Sequence, residues 1–371
     1  MSVKSAMKRG CTLLAAPLAL ATAVSNVAHG EEIKVKIPDT TITASLRSSF
    51  VSASSDDPLA MDTADFALNS FDIYLNSKIT DKIKLSFSSE FNSAPGSSTY
   101  NTVQVQDAIA QFEYSPTMNV WAGRFLAPTD RANSYGAYFS NNWNFANDGA
   151  QDGYPFLYGG RSDGVAYWGD FADTKLKVSA GIFDIPSTQN SNKTMAAARV
   201  QLDLWDAEPG YYINGTYYGE KDILAFAVAA NAVDSKSAAN FDFLMEKKIA
   251  GGGAFTVEGE YIKYNELGGY GSPNGVPYTD GDSWYVLTSY LMPQPVGPGK
   301  LQFLGKFGTT KYEKVLISGE DLEQDTTEVN VNYIIKSFNA RVSLFYLDKS
   351  YSDASVYDTQ SVGLGVQLMT L

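Results

Sequence analysis

Cysteine and histidine are nearly missing from this chain: one of each in 371 residues, Cys11 and His29, both within the first thirty positions. Those positions read as a secretory leader. Lys4, Lys8 and Arg9 precede an apolar stretch from Leu13 to Val24, and small residues close it at Ala28-His29-Gly30, so cleavage is expected before Glu31. The stretch is about a dozen residues, short of the roughly 20 that a spanning helix needs. Cys11 precedes it rather than following it, which argues against a lipid-modified cysteine. Without residues 1–30 the chain can form no disulfide, no Cys/His zinc site and no haem ligation through Cys or His, and it has no histidine base to activate a nucleophile. Carboxylate chemistry alone survives, and no cofactor is expected.

Positive charge is scarce too. Lys and Arg number 28 against 41 Asp and Glu; the leader holds three of the bases and no acid, which leaves 25 against 41 and a net charge of −16 over residues 31–371. A nucleic-acid backbone needs a basic surface, so no nucleic-acid partner is expected. Long apolar runs are missing after Val24, which excludes helical membrane spans. No Pro/Ser-rich linker divides residues 31–371, so they are expected to form one unit. What is abundant is Tyr (23), Phe (20) and Gly (31), with a slightly negative mean hydropathy. A barrel with a wet interior and an apolar exterior averages to such a value.

Alternation with period two runs along the chain. Ile42, Ala44, Leu46 and Phe50 alternate with Thr43, Ser45 and Arg47, and Phe71, Ile73, Leu75 and Ile79 with Asp72, Asn76 and Lys78. After a turn at Thr80-Asp81, Ile83, Leu85, Phe87 and Phe91 oppose Lys82, Lys84, Ser86, Ser88 and Glu90. Further runs place Asp107, Gln111, Glu113, Lys175, Lys177, Arg199, Gln201, Asp203, Glu328 and Arg341 on the polar side. Each run has the length and pattern of a transmembrane strand, apolar to lipid and polar to a lumen. A β-sandwich also alternates. Loop asymmetry separates the two: short turns such as Ser115–Met118 and Lys336–Phe338 alternate with long polar stretches such as Leu126–Ser162 and Glu266–Asp282. In-and-out parity holds if Asp206–Asp222, with Glu208-Pro209-Gly210, is one long connection among the short turns, although Tyr211–Tyr218 passes locally for a strand. The expected fold is all-β, a transmembrane antiparallel barrel of 16 strands.

Several segments resemble the phosphate-selective porin O and P family of outer-membrane porins. They are Val120-Trp121-Ala122-Gly123-Arg124-Phe125, Gly160-Arg161-Ser162-Asp163-Gly164-Val165, Glu208-Pro209-Gly210-Tyr211-Tyr212, Gly297-Pro298-Gly299-Lys300-Leu301-Gln302 and Asn332-Tyr333-Ile334-Ile335 with Asn339-Ala340-Arg341. The resemblance implies a 16-stranded, trimeric porin whose third outer loop folds into the lumen. The chain ends in Leu371, where an aromatic is usual for such barrels. Basic lumen positions, Arg47, Lys78, Lys82, Lys84, Lys175, Lys177, Arg199 and Arg341, are offset by Asp72, Glu90, Asp107, Glu113, Asp203 and Glu328, and further on by Glu246, Glu258 and Glu260, so no basic ladder for anions is visible.

Three candidate chemistries have simpler readings. Glu258 and Glu260 lie two apart on a strand, on one side and about 7 Å apart, a spacing compatible with glycosidase chemistry; lumen carboxylates are ordinary in porins. The stretches Asp148–Gly153 and Asp280–Asp282 carry calcium-like oxygen ligands but lack a terminal bidentate Glu, and polar turns account for them. Tyr114, Trp168, Tyr290 and Tyr333 near strand ends read as an interfacial girdle rather than a sugar slide.

Leu126–Ser162 is long and rich in aromatics, unlike a disordered loop. It is expected to form the constriction, with Asp130, Asp148, Asp152 and Asp163 facing Arg124, Arg131 and Arg161 across a field that filters ions. The expected function is a water-filled channel for passive diffusion of small hydrophilic solutes and ions, with modest cation preference and no enzymatic activity. The partners expected are outer-membrane lipid, lipopolysaccharide and two further copies of the chain. A competing class is the sheath of an electron conduit around a periplasmic multihaem cytochrome.

Overall fold

The computed structural model describes residues 39–92, 103–145, 160–184, 193–268, 279–316 and 318–370. The leader expected at 1–30, and Asp148 and Asp152, lie outside the described residues. Sixteen strands follow in chain order among those described: β1 (Asp39–Ser55), β2 (Thr63–Lys78), β3 (Ile83–Phe91), β4 (Gln104–Ser115), β5 (Met118–Leu126), β6 (Arg161–Phe171), β7 (Leu176–Asp184), β8 (Thr194–Asp203), β9 (Ile223–Val233), β10 (Lys236–Ile249), β11 (Gly253–Gly268), β12 (Thr279–Val296), β13 (Gly299–Tyr312), β14 (Leu322–Lys336), β15 (Ala340–Tyr351) and β16 (Thr359–Met369). Each pairs antiparallel with the next. β16 returns to β1, from Ser45 opposite Met369 to Ser55 opposite Thr359, so the sheet is a closed barrel without an edge.

The alternation that forms the strands also fixes which way they face. On β8, Arg199, Gln201 and Asp203 are at most 4% exposed, whereas Val200 and Leu202 are 41% and 45% exposed. A water-soluble protein has the reverse arrangement. Leu85, Phe241, Phe303, Val329 and Leu364 likewise stand on the outside, and an apolar exterior of this kind is stable only against lipid. Among the described residues no helix is long and apolar enough to cross a membrane; the strands do so.

Connections segregate by end. At one end are residues 79–82, 116–117, 172–175, 250–252, 297–298 and 337–339, together with the long connection 204–222. No strand forms between Tyr211 and Tyr218, and parity is kept as expected. At the other end lie the longer connections, with one exception: β9 and β10 are joined there by Asp234-Ser235, with Asp234 at a φ of 52°. β12 runs to Val296 and leaves Gly297-Pro298 as the corner before β13. Lys82 and Lys175 belong to the turns 79–82 and 172–175 rather than to a lumen wall. Trp168 is also corrected. It faces inward and packs edge-on against Trp121, whereas Tyr114 and Tyr290 stand outside as a girdle would.

Candidate functional site

Two segments enter the barrel from opposite ends and meet inside it. Residues 127–145, following β5, include a short α-helix, α1 (Arg131–Tyr135), and a 3-10 turn at Ala137–Phe139, and are mostly buried. Asp130 caps α1, its Oδ1 accepting the Asn133 amide at 2.7 Å, and burial pushes this carboxyl up to about 7. From α1 the chain crosses to the far wall along a series of inward-facing polar groups. Arg199 on β8 donates to the Thr129 carbonyl at 3.0 Å, and Tyr135 donates to Glu258 on β11 at 2.7 Å. Gln367 on β16 donates to the Tyr138 carbonyl, and Arg341 on β15 donates to the Ser140 carbonyl at 2.8 Å. Glu328 on β14 accepts the amides of Trp143 and Asn144 and the side chain of Asn142. Arg47 on β1 lies over the Trp143 ring, 4.3 Å from its centroid, and donates to the Trp143 carbonyl. Polar lumen positions thus hold a segment of chain in place.

The second segment is the connection 204–222. Tyr211 and Tyr212 pack on Trp121, and the Tyr211 hydroxyl reaches the Leu126 carbonyl at 2.8 Å. The amides of Ile213 and Gly215 donate to the carbonyls of Ser134 and Phe139, so the two segments share a short stretch of backbone pairing. A fully buried ion pair joins them: Arg131 donates to both oxygens of Glu208, at 2.9 and 2.6 Å, and to the Asn214 carbonyl at 2.7 Å. Burial opposes ionisation of Glu208, but the Arg131 guanidinium outweighs it and holds the carboxyl below its ordinary value.

Among the described residues a cavity of about 590 Å³ stays open on the side of β2–β5. Its wall carries Asp72, Ser88, Glu90, Asp107 and Gln111, and its other side is the two inward segments, from Tyr135 to Phe139 and from Tyr212 to Asn214. Among the lining residues three carboxylates, Asp72, Glu90 and Asp107, stand against one guanidinium, Arg161, which binds Asp107 at 3.1 Å. A second cavity of about 210 Å³ shares Asn76, Ser86 and Gln111 with the first and extends to Asp39, Lys78 and Lys84 at the short-turn end. The two cavities adjoin along this wall.

The residues expected at a constriction separate into groups. Arg161 lines the cavity. Asp130 and Arg131 are buried in the capping and stapling contacts described above. Arg124 and Asp163 are corrected: they are cross-strand partners on the outer face that carries Ala108 and Val165, 3.6 Å from each other near the long-loop end. Gly123 precedes Arg124 at a φ of 126°, where an added Cβ would lie 2.0 Å from the Ala108 carbonyl oxygen, so only glycine fits. Among the wall residues, Lys84 and Glu113 form an inward ion pair at 2.5 Å. Arg47, Arg199 and Arg341 hold the inward loop or Asp242, and Glu258 accepts the hydroxyls of Tyr135 and Tyr285 on one oxygen. Lys177 and Glu260 are buried, with Lys177 Nζ and both Glu260 oxygens unpaired. Sequence reasoning named Asp72, Glu90 and Asp107 only as lumen acids and took Glu208 for a turn residue. Their inward parity was visible; their shared sector was not.

No family model and no curated protein sequence matches the chain. Solved structures match it along nearly all of its length. The outer membrane channel DcaP of Acinetobacter baumannii aligns with a TM-score of 0.57 at 13% identity, over 89% of this chain and 97% of that one. The trimer form of OmpT, an outer membrane protein of Vibrio cholerae, aligns with a TM-score of 0.53 at 16% identity, over 89% and 99%. Acinetobacter baumannii OccAB4 aligns with a TM-score of 0.52 at 11% identity, over 90% and 99%. At these identities the likeness is one of fold: the chain is an outer-membrane β-barrel of sixteen strands.

Proposed function

We propose that this barrel is an outer-membrane porin, a water-filled channel for passive diffusion of small hydrophilic solutes and ions, with residues 127–145 as its constriction and a preference for cations. The observation that carries the reading is the larger cavity along β2–β5, lined by three carboxylates against one guanidinium; the smaller one beside it adds Asp39, Lys78 and Lys84, and the two lysines pair with Asp81 and Glu113. Charge at the narrowest section dominates ion choice. Phosphate selectivity, which the family resemblance implies, would need free cations on that path. Arg47, Arg199 and Arg341 instead donate to backbone carbonyls and to Asp242, away from the larger cavity. A glycosidase role for Glu258 and Glu260 has little support, because both are buried. A cytochrome sheath needs an interior wide enough for a haem domain, whereas two segments of the chain itself occupy this one and leave a cavity of about 590 Å³. Removal of residues 1–30, contact with lipid and lipopolysaccharide, and a homotrimer complete the proposal; the Vibrio neighbour's trimer form is consistent with the last. Purified, folded protein added to a planar bilayer should give stepwise conductance. Heat-modifiable, correctly folded barrel that gives no steps contradicts the reading.

A further inference from the structure

We infer that Asp72 and Glu90, together with the tyrosine-rich loop face opposite them, form a binding site for small primary amines with an apolar body; the site rests on the reading of the cavity as a solute path. Asp72 on β2 and Glu90 on β3 are direct cross-strand partners. Their Cβ atoms are therefore about 5 Å apart, and like charges in that relation repel. One cation is shared and one is held apart: Arg161 binds Asp107 while its charge also bears on Asp72 and Glu90, and Arg47 is held by the Trp143 carbonyl and ring. Asp72 is 7% exposed and lines the cavity, and its Oδ1 has no hydrogen-bond partner, while Oδ2 accepts the Tyr74 hydroxyl at 2.9 Å. A buried carboxylate oxygen left unpaired beside a second carboxylate is a vacancy for a donor that carries positive charge.

The geometry also selects the kind of cation. A primary ammonium has three donors on a compact head and can bridge two carboxylates about 5 Å apart. A quaternary ammonium has no donor, and among the described residues no group of three or more His, Cys, Asp or Glu side chains is arranged to hold a metal ion. Across the cavity stand the rings of Tyr135, Tyr138, Phe139 and Phe145. They offer an apolar surface to the body of the solute and aromatic faces to its charge.

The test uses 2-phenylethylamine as the probe, with 2-phenylethanol as its uncharged counterpart, on full-length barrel in a planar bilayer carrying a potassium current. The amine should block the current saturably and the alcohol should not. The double variant Asp72→Asn with Glu90→Gln should raise the half-blocking concentration roughly tenfold or more, as loss of a charge-assisted hydrogen bond would. Glu320→Gln, exposed in the 313–321 connection, should leave the block as in the parent. Equal block by amine and alcohol, or a block indifferent to the double variant, overturns the site. Calorimetry of the amine on detergent-solubilised barrel separates the two readings. Binding heat lost in the double variant, with no channels seen, upholds the site and rejects the pore; channels with neither block nor heat reject the site and keep the pore.

Discussion

Replacing Arg131 with alanine is expected to let the inward loop leave the interior. Its guanidinium makes three hydrogen bonds to the other inward segment, two of them to a carboxylate as buried as itself. Removing one partner of such a pair costs about 3–5 kcal/mol, because the other charge stays buried and unpaired. At about 1.4 kcal/mol per factor of ten, the undocked loop becomes roughly two to three and a half orders of magnitude more populated. Single-channel recording reads this directly, as frequent excursions to a higher conductance that the parent lacks. Glu208→Gln keeps the shape and removes the charge, so it should be noisy in the same sense but less so. The pH dependence follows from the lowered pKa of Glu208. A depressed carboxyl contributes its full share to docking above the ordinary value of 4.5 and loses it only as pH falls through the lower folded value. Parent channels should therefore stay quiet from neutral pH to about 5 and become noisy in stronger acid, while Glu208→Gln noise should not respond to acid in this way. Arg131→Ala channels as quiet as the parent would refute the staple.

Three further outcomes are expected. Leu85→Arg places a cation on the lipid face, at a cost of roughly 2–4 kcal/mol near the bilayer midplane, and should impair assembly, whereas Ser86→Arg points into the cavity and should assemble; heat-modifiable gel mobility separates them. Deleting Ala137–Tyr158 should raise conductance in a barrel that still assembles, because β5 and β6 keep their ladder from Asn119–Trp168 to Leu126–Arg161. Arg124→Gln and Asp163→Asn, on the outer face, should leave ion selectivity as it is; a changed reversal potential would return them to the constriction.

Much of the barrel was legible because a strand's period of two is local. Ile42 and Arg47, or Leu202 and Asp203, declare their faces whatever the rest of the chain does. Parity then decided that 204–222 is a connection, against the strand-like look of Tyr211–Tyr218. Strand ends were less legible, since a polar residue beside a turn looks like a lumen residue; Lys82 and Lys175 were misassigned for that reason. The site was harder. Which polar lumen residues meet water and which meet chain depends on where residues 127–145 cross, and that path is set by side chains as distant in sequence as Arg47, Glu328 and Arg341. The inside-outside register of Arg124 follows from β5, where Trp121 and Phe125 point inward and Arg124 therefore points out. That reading was available from the sequence but was overridden by the charge opposite it.

The central claim is that ions pass along the acidic wall of β2–β4, and the reversal potential of a single purified barrel in a potassium chloride gradient tests it most directly. The account predicts a potential on the potassium side, moving toward zero in Asp72→Asn, Glu90→Gln and Asp107→Asn as each carboxylate is removed from the passage. A potential on the chloride side, unmoved by those three substitutions, would contradict it and put the path among the arginines instead.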